Sequence, residues 1–278
     1  KKLYKEDAID EKHMDTYTVG FGIGPRINAP GRMDHAQASY FLLTTGEEKE
    51  ATLIAKKINE TNVFRQKSLE TVLEKSQKSI VDKKLDQEKI IVVTGKKLPV
   101  GVVGLVASRI TDRYNRPSIV LSEEDSVLRG SARSIDRFNL VDNLKKTEKY
   151  LLGFGGHAKA AGVSLKKENF SHFYKKITEI ARQKIRDKDL IKEVKIDAQI
   201  SSKGLSFVLT HDINSFEPFG LGNPRPVFML KKMEIDELKW VGREKNHLKL
   251  KSKKQGSLKI FDAICFGLDR EKIRIRTH

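Results

Sequence analysis

The sequence predicts an α/β domain reached through a long helix and followed by a small antiparallel β domain. Three observations carry that expectation: an unbroken amphipathic stretch, a strand–helix–strand order after it, and a change to period-two alternation further on.

From Glu47 to about Val81 there is almost no Gly or Pro, and Leu53, Ile54, Ile58, Leu69, Val72, Leu73 and Ile80 recur at helical spacing among Lys and Glu. One long helix, or two in tandem, can bridge two domains; a plain helix packed on a core accounts for the pattern nearly as well. Ile90-Ile91-Val92-Val93 then reads as a buried strand. The run Val100-Gly101-Val102-Val103-Gly104-Leu105-Val106-Ala107 reads as a loop entering a buried helix, and Pro117 to Leu121 as the next strand. That order is a βαβ unit. A Lys-rich helical stretch from about Phe170 to Lys188 closes the block.

From about Lys195 the character changes. Val227 to Leu230, Leu238 to Val241 and His247 to Lys251 are short alternating segments; in the last, Leu248 and Leu250 point inward and the basic residues outward. Lys253-Lys254-Gln255-Gly256 makes a turn, and Leu258 to Phe266 returns as a strand. A five-stranded barrel of OB type is the natural candidate. Between Arg243 and Lys259 stand seven Lys or Arg and one Glu, more than edge protection needs.

Composition narrows the partner. The 278 residues are 38% hydrophobic and 33% charged, with 54 Lys plus Arg against 37 Asp plus Glu, a net charge of +17. Such a surplus favours a polyanion, because each cation placed on a phosphate releases a condensed counterion. A Lys-rich chain can also be merely soluble. The single cysteine, Cys265, cannot form an internal disulfide and is expected as a small buried hydrophobe in a reducing cytoplasm. No apolar stretch approaches membrane-spanning length, so no membrane partner is expected. The start at Lys1-Lys2-Leu3 and the abrupt end at Ile275-Arg276-Thr277-His278 suggest a piece of something longer.

Four segments carry the functional reading. Gly24-Pro25-Arg26-Ile27-Asn28-Ala29-Pro30-Gly31-Arg32 is expected as a rigid loop projecting two arginines, whose planar forks suit a phosphate, although arginines on such a loop are commonly plain surface charges. Gly130-Ser131-Ala132-Arg133-Ser134 places hydroxyls beside an Arg after a Gly that lets backbone approach a ligand, a weak motif alone. Gly153-Phe154-Gly155-Gly156-His157-Ala158-Lys159-Ala160-Ala161-Gly162 sets His157 on a tight loop, with small residues packing the helix expected after it. Phe216 to Pro226 reads as structural turns.

Taken in this order, the segments resemble the RecJ exonuclease family over roughly Gly22 to Phe266. Gly155-Gly156-His157-Ala158-Lys159-Ala160-Ala161-Gly162 is similar to the GGHxxAAG signature of the domain that follows the DHH catalytic domain in that superfamily. Pro25-Arg26-Ile27-Asn28-Ala29 resembles the segment closing the catalytic domain, and Glu217-Pro218-Phe219-Gly220-Leu221-Gly222-Asn223-Pro224 resembles the OB signature. The resemblance implies that residues 1–46 end a DHH domain, 47–85 form the connecting helix, 86–190 the DHH-associated domain, and 191–278 an OB fold truncated at its C-terminus.

It also implies a 5′→3′ exonuclease acting on single-stranded DNA in repair and recombination, a cytoplasmic monomer working with other repair proteins. Mn²⁺ or Mg²⁺ would be held by motifs upstream of Lys1, with no cofactor in this chain. Asp34-His35 is followed by Ala36 and is read as a decoy for the metal motif. His157 would then assist catalysis, while Arg26, Asn28, Arg32, Ser131, Arg133, Ser134, Gly155 and Gly156 hold the terminal nucleotide and scissile phosphate. On the barrel, Lys249, Lys251, Lys253 and Lys254 would hold the strand. Two departures stand out: Leu98-Pro99 replaces the family's Trp-His before the Gly-Val run, and Ala29-Pro30-Gly31 replaces Ala-Ala-Gly. Rival readings are a DHH-family oligonucleotide or cyclic-dinucleotide phosphodiesterase, which shares the GGH domain without needing the OB fold, a related domain of alanyl-tRNA synthetases, and a non-catalytic single-strand-binding module.

Overall fold

A computed structural model describes residues 14–242, 245–256 and 259–268. They fall into two units, Lys1–Glu193 and Val194–His278. The readings made on Lys1–Leu3, Arg243, Leu258 and Ile275–His278 lie outside the described residues.

In the first unit a π-helical turn, Thr18–Ile23, runs directly into helix α1, Gly24–Met33. The segment expected as a Gly-Pro loop is therefore helix. Pro25 sits at the junction with the π turn, just after Gly24 donates its N–H to the Val19 carbonyl, and Pro30 is buried beside Ala29. Asp34 closes α1 by donating its backbone N–H to the Pro30 carbonyl at 2.8 Å, and α2, Gln37–Thr44, follows. Asp34 and His35 are exposed in the link between them.

Helix α3, Glu48–Asp82, is a single helix of 35 residues. Its buried positions, Ala55, Ile58, Asn62, Arg65, Val72, Ser76 and Ile80, form one stripe at helical spacing. Ala55 and Ile58 pack with Ile27, Ala38 and Leu42 of α1 and α2. Val72 and Ile80 join a second cluster that includes Ile91 and Val93. The helix thus ties the N-terminal helices to the sheet.

The sheet is built from β1 (Ile91–Lys96), β2 (Ser118–Glu124), β3 (Val127–Arg133), β4 (Gly153–His157) and β5 (Ala160–Lys166), in the order β1-β2-β3-β5-β4. Helix α4, Val100–Tyr114, connects the parallel pair β1 and β2, the expected βαβ unit; all other pairs are antiparallel. Helices α5 (Leu140–Lys145) and α6 (Phe170–Lys184) complete the unit. Ile119, Leu128, Ala132, Ala161, Val163 and Leu165 on one face of the sheet share a core with Leu140, Leu144, Phe173 and Ile177 of α5 and α6. Ile91, Val93 and Val120 on the other face pack with Val102, Val103, Val106 and Ile110 of α4.

Two further expectations shift here. The Val100 run is already helical from its first residue, with Pro99 as the N-cap position. Gly153 to Gly162 is a β-hairpin, and Ala160, Ala161 and Gly162 belong to β5; the next long helix begins only at Phe170. Glycine-rich segments carry little strand propensity, and here cross-strand pairing decides the matter.

In the second unit β6 (Ala198–Gln199) pairs in parallel with β7 (Phe228–Met229), and α7 spans Phe207–Asn214. Strands β8 (Met233–Val241), β9 (His247–Lys254) and β10 (Ile260–Cys265) form an antiparallel sheet in the order β10-β9-β8. Leu248 is buried, as its alternation requires. The expected five-stranded closed barrel is not formed among the described residues: β6 and β7 are two residues long and pair with each other. Cys265 is half-buried rather than buried, with exposed Ile264 and Phe266 beside it on a sheet-edge strand. No helix among the described residues is long and apolar enough to cross a membrane.

Candidate nucleic-acid interface

Strand pairing brings two of the predicted segments onto one surface. Across the antiparallel ladder Arg133 of β3 pairs with Ala160 of β5, and Ala160 with His157 of β4. One step back along the same face, Ser131 pairs with Gly162 and Gly162 with Gly155. Directly paired residues point to the same side of a sheet, and so do residues two apart. Arg133, Ser131, His157, Gly155 and Gly162 therefore share the face that α4 covers further along at Val120. His157, Gly155 and Gly162 are exposed.

Two glycines of α4 fit this surface to the N-terminal helices. A Cβ on Gly101 would lie 1.8 Å from the Arg32 carbonyl oxygen, so only glycine lets the end of α1 come this close. One turn on, a Cβ on Gly104 would lie 3.1 Å from Arg133 Nη2 and 3.3 Å from Ser131 Oγ. The Arg133 guanidinium, the Ser131 hydroxyl and the Arg32 backbone thus meet one side of the first turns of α4.

Charge gathers at the same place. Burial, and then the neighbouring Arg32, push the Arg133 guanidinium below the usual arginine range. Arg65 of α3 is only 8% exposed and is held by Asn62, 1% exposed. Burial pushes it down first, followed by the charges of Arg32, Arg109 and Arg26. Arg26 donates to Asn59 Oδ1 at 3.2 Å and to the Gly22 carbonyl at 2.6 Å. Among the described residues no carboxylate pairs with Arg32, Arg65, Arg109 or Arg133. Cations held near one another without a carboxylate have the charge to receive an anion.

The structure separates the predicted residues. Arg26, Arg32, Arg133 and Ser131 belong to the cluster, and His157 lies on the row of Arg133. Asn28 is exposed on α1. The Ser134 hydroxyl donates to the Phe138 carbonyl at 2.5 Å, so its proton serves the turn after β3. Gly130 is required by its own sheet rather than by a ligand: a Cβ there would lie 1.8 Å from the Val120 carbonyl oxygen. Gly156 is likewise required, with φ +142° and a Cβ 2.2 Å from the Ala160 oxygen. Arg65, Arg109, Gly101 and Gly104 were not foreseen. The signal for Arg65 was present, since Asn62 and Arg65 interrupt a stripe otherwise set by Ile58 and Val72.

In the second unit the four predicted lysines divide. Lys251 pairs with Glu237 at 2.6 Å and Lys253 with Asp236 at 2.9 Å. Lys249 and Lys254 make no ion pair among the described residues. Hydrogen bonding to Lys251 holds the Glu237 carboxyl below the usual range. The Phe216 to Pro226 segment is tied internally: Asn223 donates to the Phe216 and Pro218 carbonyls, and Arg225 pairs with Glu217 at 2.8 Å.

Residues 87–183 match the DHHA1 domain family, and residues 196–278 match the RecJ OB domain family. Curated relatives named single-stranded-DNA-specific exonuclease RecJ run through nearly the whole chain. The Bacillus subtilis protein is 33% identical over 99% of this chain, and the Haemophilus influenzae protein 32% identical over 94%. The chain belongs to the RecJ family. It spans 34% and 47% of those two relatives' own length. The Thermus thermophilus RecJ crystal structure in complex with Mn²⁺ superposes with a TM-score of 0.81 at 26% identity, covering 98% of this chain and 39% of that one. The Mg²⁺ complex gives 0.74 at 27% identity, covering 92% and 40%. The descriptions of those two RecJ structures name Mn²⁺ and Mg²⁺. The described residues of this chain do not fit such ions, because they hold no group of three or more His, Cys, Asp or Glu that could bind one.

Proposed function

We propose that this chain is the substrate-gripping part of a 5′→3′ exonuclease specific for single-stranded DNA, serving repair and recombination. The convergence of Arg32, Arg65, Arg109 and Arg133 without a carboxylate carries the reading, because such a cluster calls for an anion with more than one contact point. In this reading Arg133 and Ser131 take a phosphate near the 5′ end, Arg32 and Arg109 add to the field, and His157 stands beside the scissile bond. Mg²⁺ or Mn²⁺ would be held by residues other than those described. The second unit, read as an OB-type fold, holds the strand further along through Lys249 and Lys254. A cytoplasmic monomer meeting other repair proteins belongs to the same reading.

The test is equilibrium binding of a fluorescent 5′-phosphorylated single strand and of the matching duplex to this chain. The single strand should bind at least about tenfold more tightly, with affinity falling steeply as salt rises. Equal affinity for the two, or no binding at all, would remove the reading.

A further inference from the structure

The face of the sheet turned away from α4 is covered by α5 and α6, which bury Leu140, Leu144, Phe173, Ile177 and Ala181 in its core. Their outer sides carry lysines. Lys145 ends α5, Lys146 is its C-cap residue, and Lys149 follows in a 3₁₀ turn, Glu148–Tyr150; all three are exposed. On α6, Lys176 and the exposed Lys184 stand two turns apart on one flank, about 12 Å along the helix. That flank meets the end of α5. Lys184, within hydrogen-bonding reach of Lys146, pushes its ammonium below the usual lysine range; Asp142 opposes the push and Lys176 adds to it.

A lysine at a helix end complements the helix dipole, which accounts for Lys146 or Lys184 singly and not for their meeting. Among the described residues Lys145, Lys146, Lys149 and Lys184 make no ion pair, while Lys176 pairs with Glu179 at 3.1 Å. The arginine of α6, Arg182, is held by Glu88 at 2.7 Å, so the surface offers point charges and no free planar fork. Its rings are engaged as well. Tyr150 stacks on His172 with centroids 5.8 Å apart, and the Lys149 ammonium lies 4.9 Å from the Tyr150 centroid. Point charges without a ring to receive an unstacked base suit a ligand that presents phosphates and keeps its bases paired.

We propose that the lysines of α5 and α6 form a second nucleic-acid contact, on the side of the sheet away from the arginine cluster, which holds the phosphate backbone of a duplex. Lys146 and Lys184 are its centre, and Lys145, Lys149 and Lys176 flank them. Contacts of this kind carry charge and no sequence preference. The two faces of the sheet bear separate contacts, so this one stands whether or not the arginines take a single strand.

The experiment titrates this chain against a fluorescent blunt duplex, and against one of its strands alone, across a salt series. Lys146→Gln with Lys184→Gln should lower the duplex slope of log affinity against log salt by about 1.8, two duplex phosphate contacts, and leave single-strand affinity unchanged. Lys146→Arg with Lys184→Arg keeps both charges and should bind the duplex as the unaltered chain does. Lys75→Gln with Lys78→Gln, on the exposed side of α3, removes the same charge elsewhere and should leave the duplex slope unchanged. The Lys146 and Lys184 variants should melt no lower than the unaltered chain, since both side chains are exposed. No duplex binding by the unaltered chain, an unchanged slope in the glutamine variant, or an equal fall in the α3 control would overturn the contact. Equal loss of the single strand would assign these lysines to the single-strand path instead. Polyglutamate binding that is lost in the glutamine variant, with duplex binding intact, would assign them to an acidic protein partner; either result sinks the duplex contact.

Discussion

Nε and Nη2 of Arg65 both donate to the single Oδ1 of Asn62, one turn earlier on α3, at 3.1 and 3.0 Å. A buried guanidinium is satisfied in part by a neutral side chain on its own helix while three other arginines press on it. That arrangement costs stability unless an anion arrives.

Stability and binding should therefore move in opposite directions at Arg65. Replacing it with Met keeps the volume, removes the buried charge and should raise the stability of the first unit by about 1–2 kcal/mol. The same change should weaken binding of a 5′-phosphorylated single strand. Asn62→Leu leaves the guanidinium without its acceptor and should cost about 2 kcal/mol. Melting midpoints and anisotropy titrations of both variants check this; a destabilised Arg65→Met would mean that the cluster is already neutralised.

The long helix and the βαβ unit were legible because their signals are local: a 3.6-residue period free of Gly and Pro, and short β-branched runs. Glycine and proline misled at Gly24 to Arg32 and again at Gly153 to Gly162. Both residue types mark loops in isolation, yet Pro25 sits at the junction of the π turn with α1, and β4 is held by pairing with β5. The arginine cluster was half legible. Arg26, Arg32 and Arg133 lay in recognisable segments, whereas Arg65 falls on the apolar stripe of the long helix, where a cation carries no motif of its own. The pairing of Lys251 with Glu237 depends on the register of β9 on β8, which no local pattern gives.

The same register sets the expectation for the hairpin. Lys249→Gln with Lys254→Gln should lower the slope of log affinity against log salt by about 1.4, two single-strand phosphate contacts. Lys251→Gln with Lys253→Gln should change the slope less, since those charges already face Glu237 and Asp236. Glu237→Gln with Asp236→Asn should tighten binding by freeing both lysines. Equal slopes in the two lysine double variants would place the strand elsewhere.

The chain alone should release no mononucleotides from 5′-labelled single-stranded DNA in Mn²⁺. Its described residues offer no cluster of carboxylates and imidazoles on which two-metal catalysis could be built. Release above a buffer control, lost on chelation, would show that a metal site exists within it.

Arg133 separates a field from a clamp. Its Nη1 donates to the Ala132 carbonyl at 2.9 Å, which fixes the plane of the guanidinium and leaves its Nη2 side toward Gly104 and Ser131. Lysine keeps the charge and loses the planar fork. If the fork grips a phosphate, Arg133→Lys should lose most of what Arg133→Ala loses, about 2 kcal/mol or roughly thirtyfold in affinity. If only the field counts, Lys should bind nearly as well as Arg. On the proposed exonuclease reading, His157→Ala in the full-length protein should lower kcat more than it weakens DNA binding, since His157 is exposed at the end of β4 and braces no core. Melting of each variant decides whether the loss is local. Midpoints near that of the unaltered protein, together with lost binding or turnover, place both side chains in the site; a large fall in either midpoint assigns that residue to the fold.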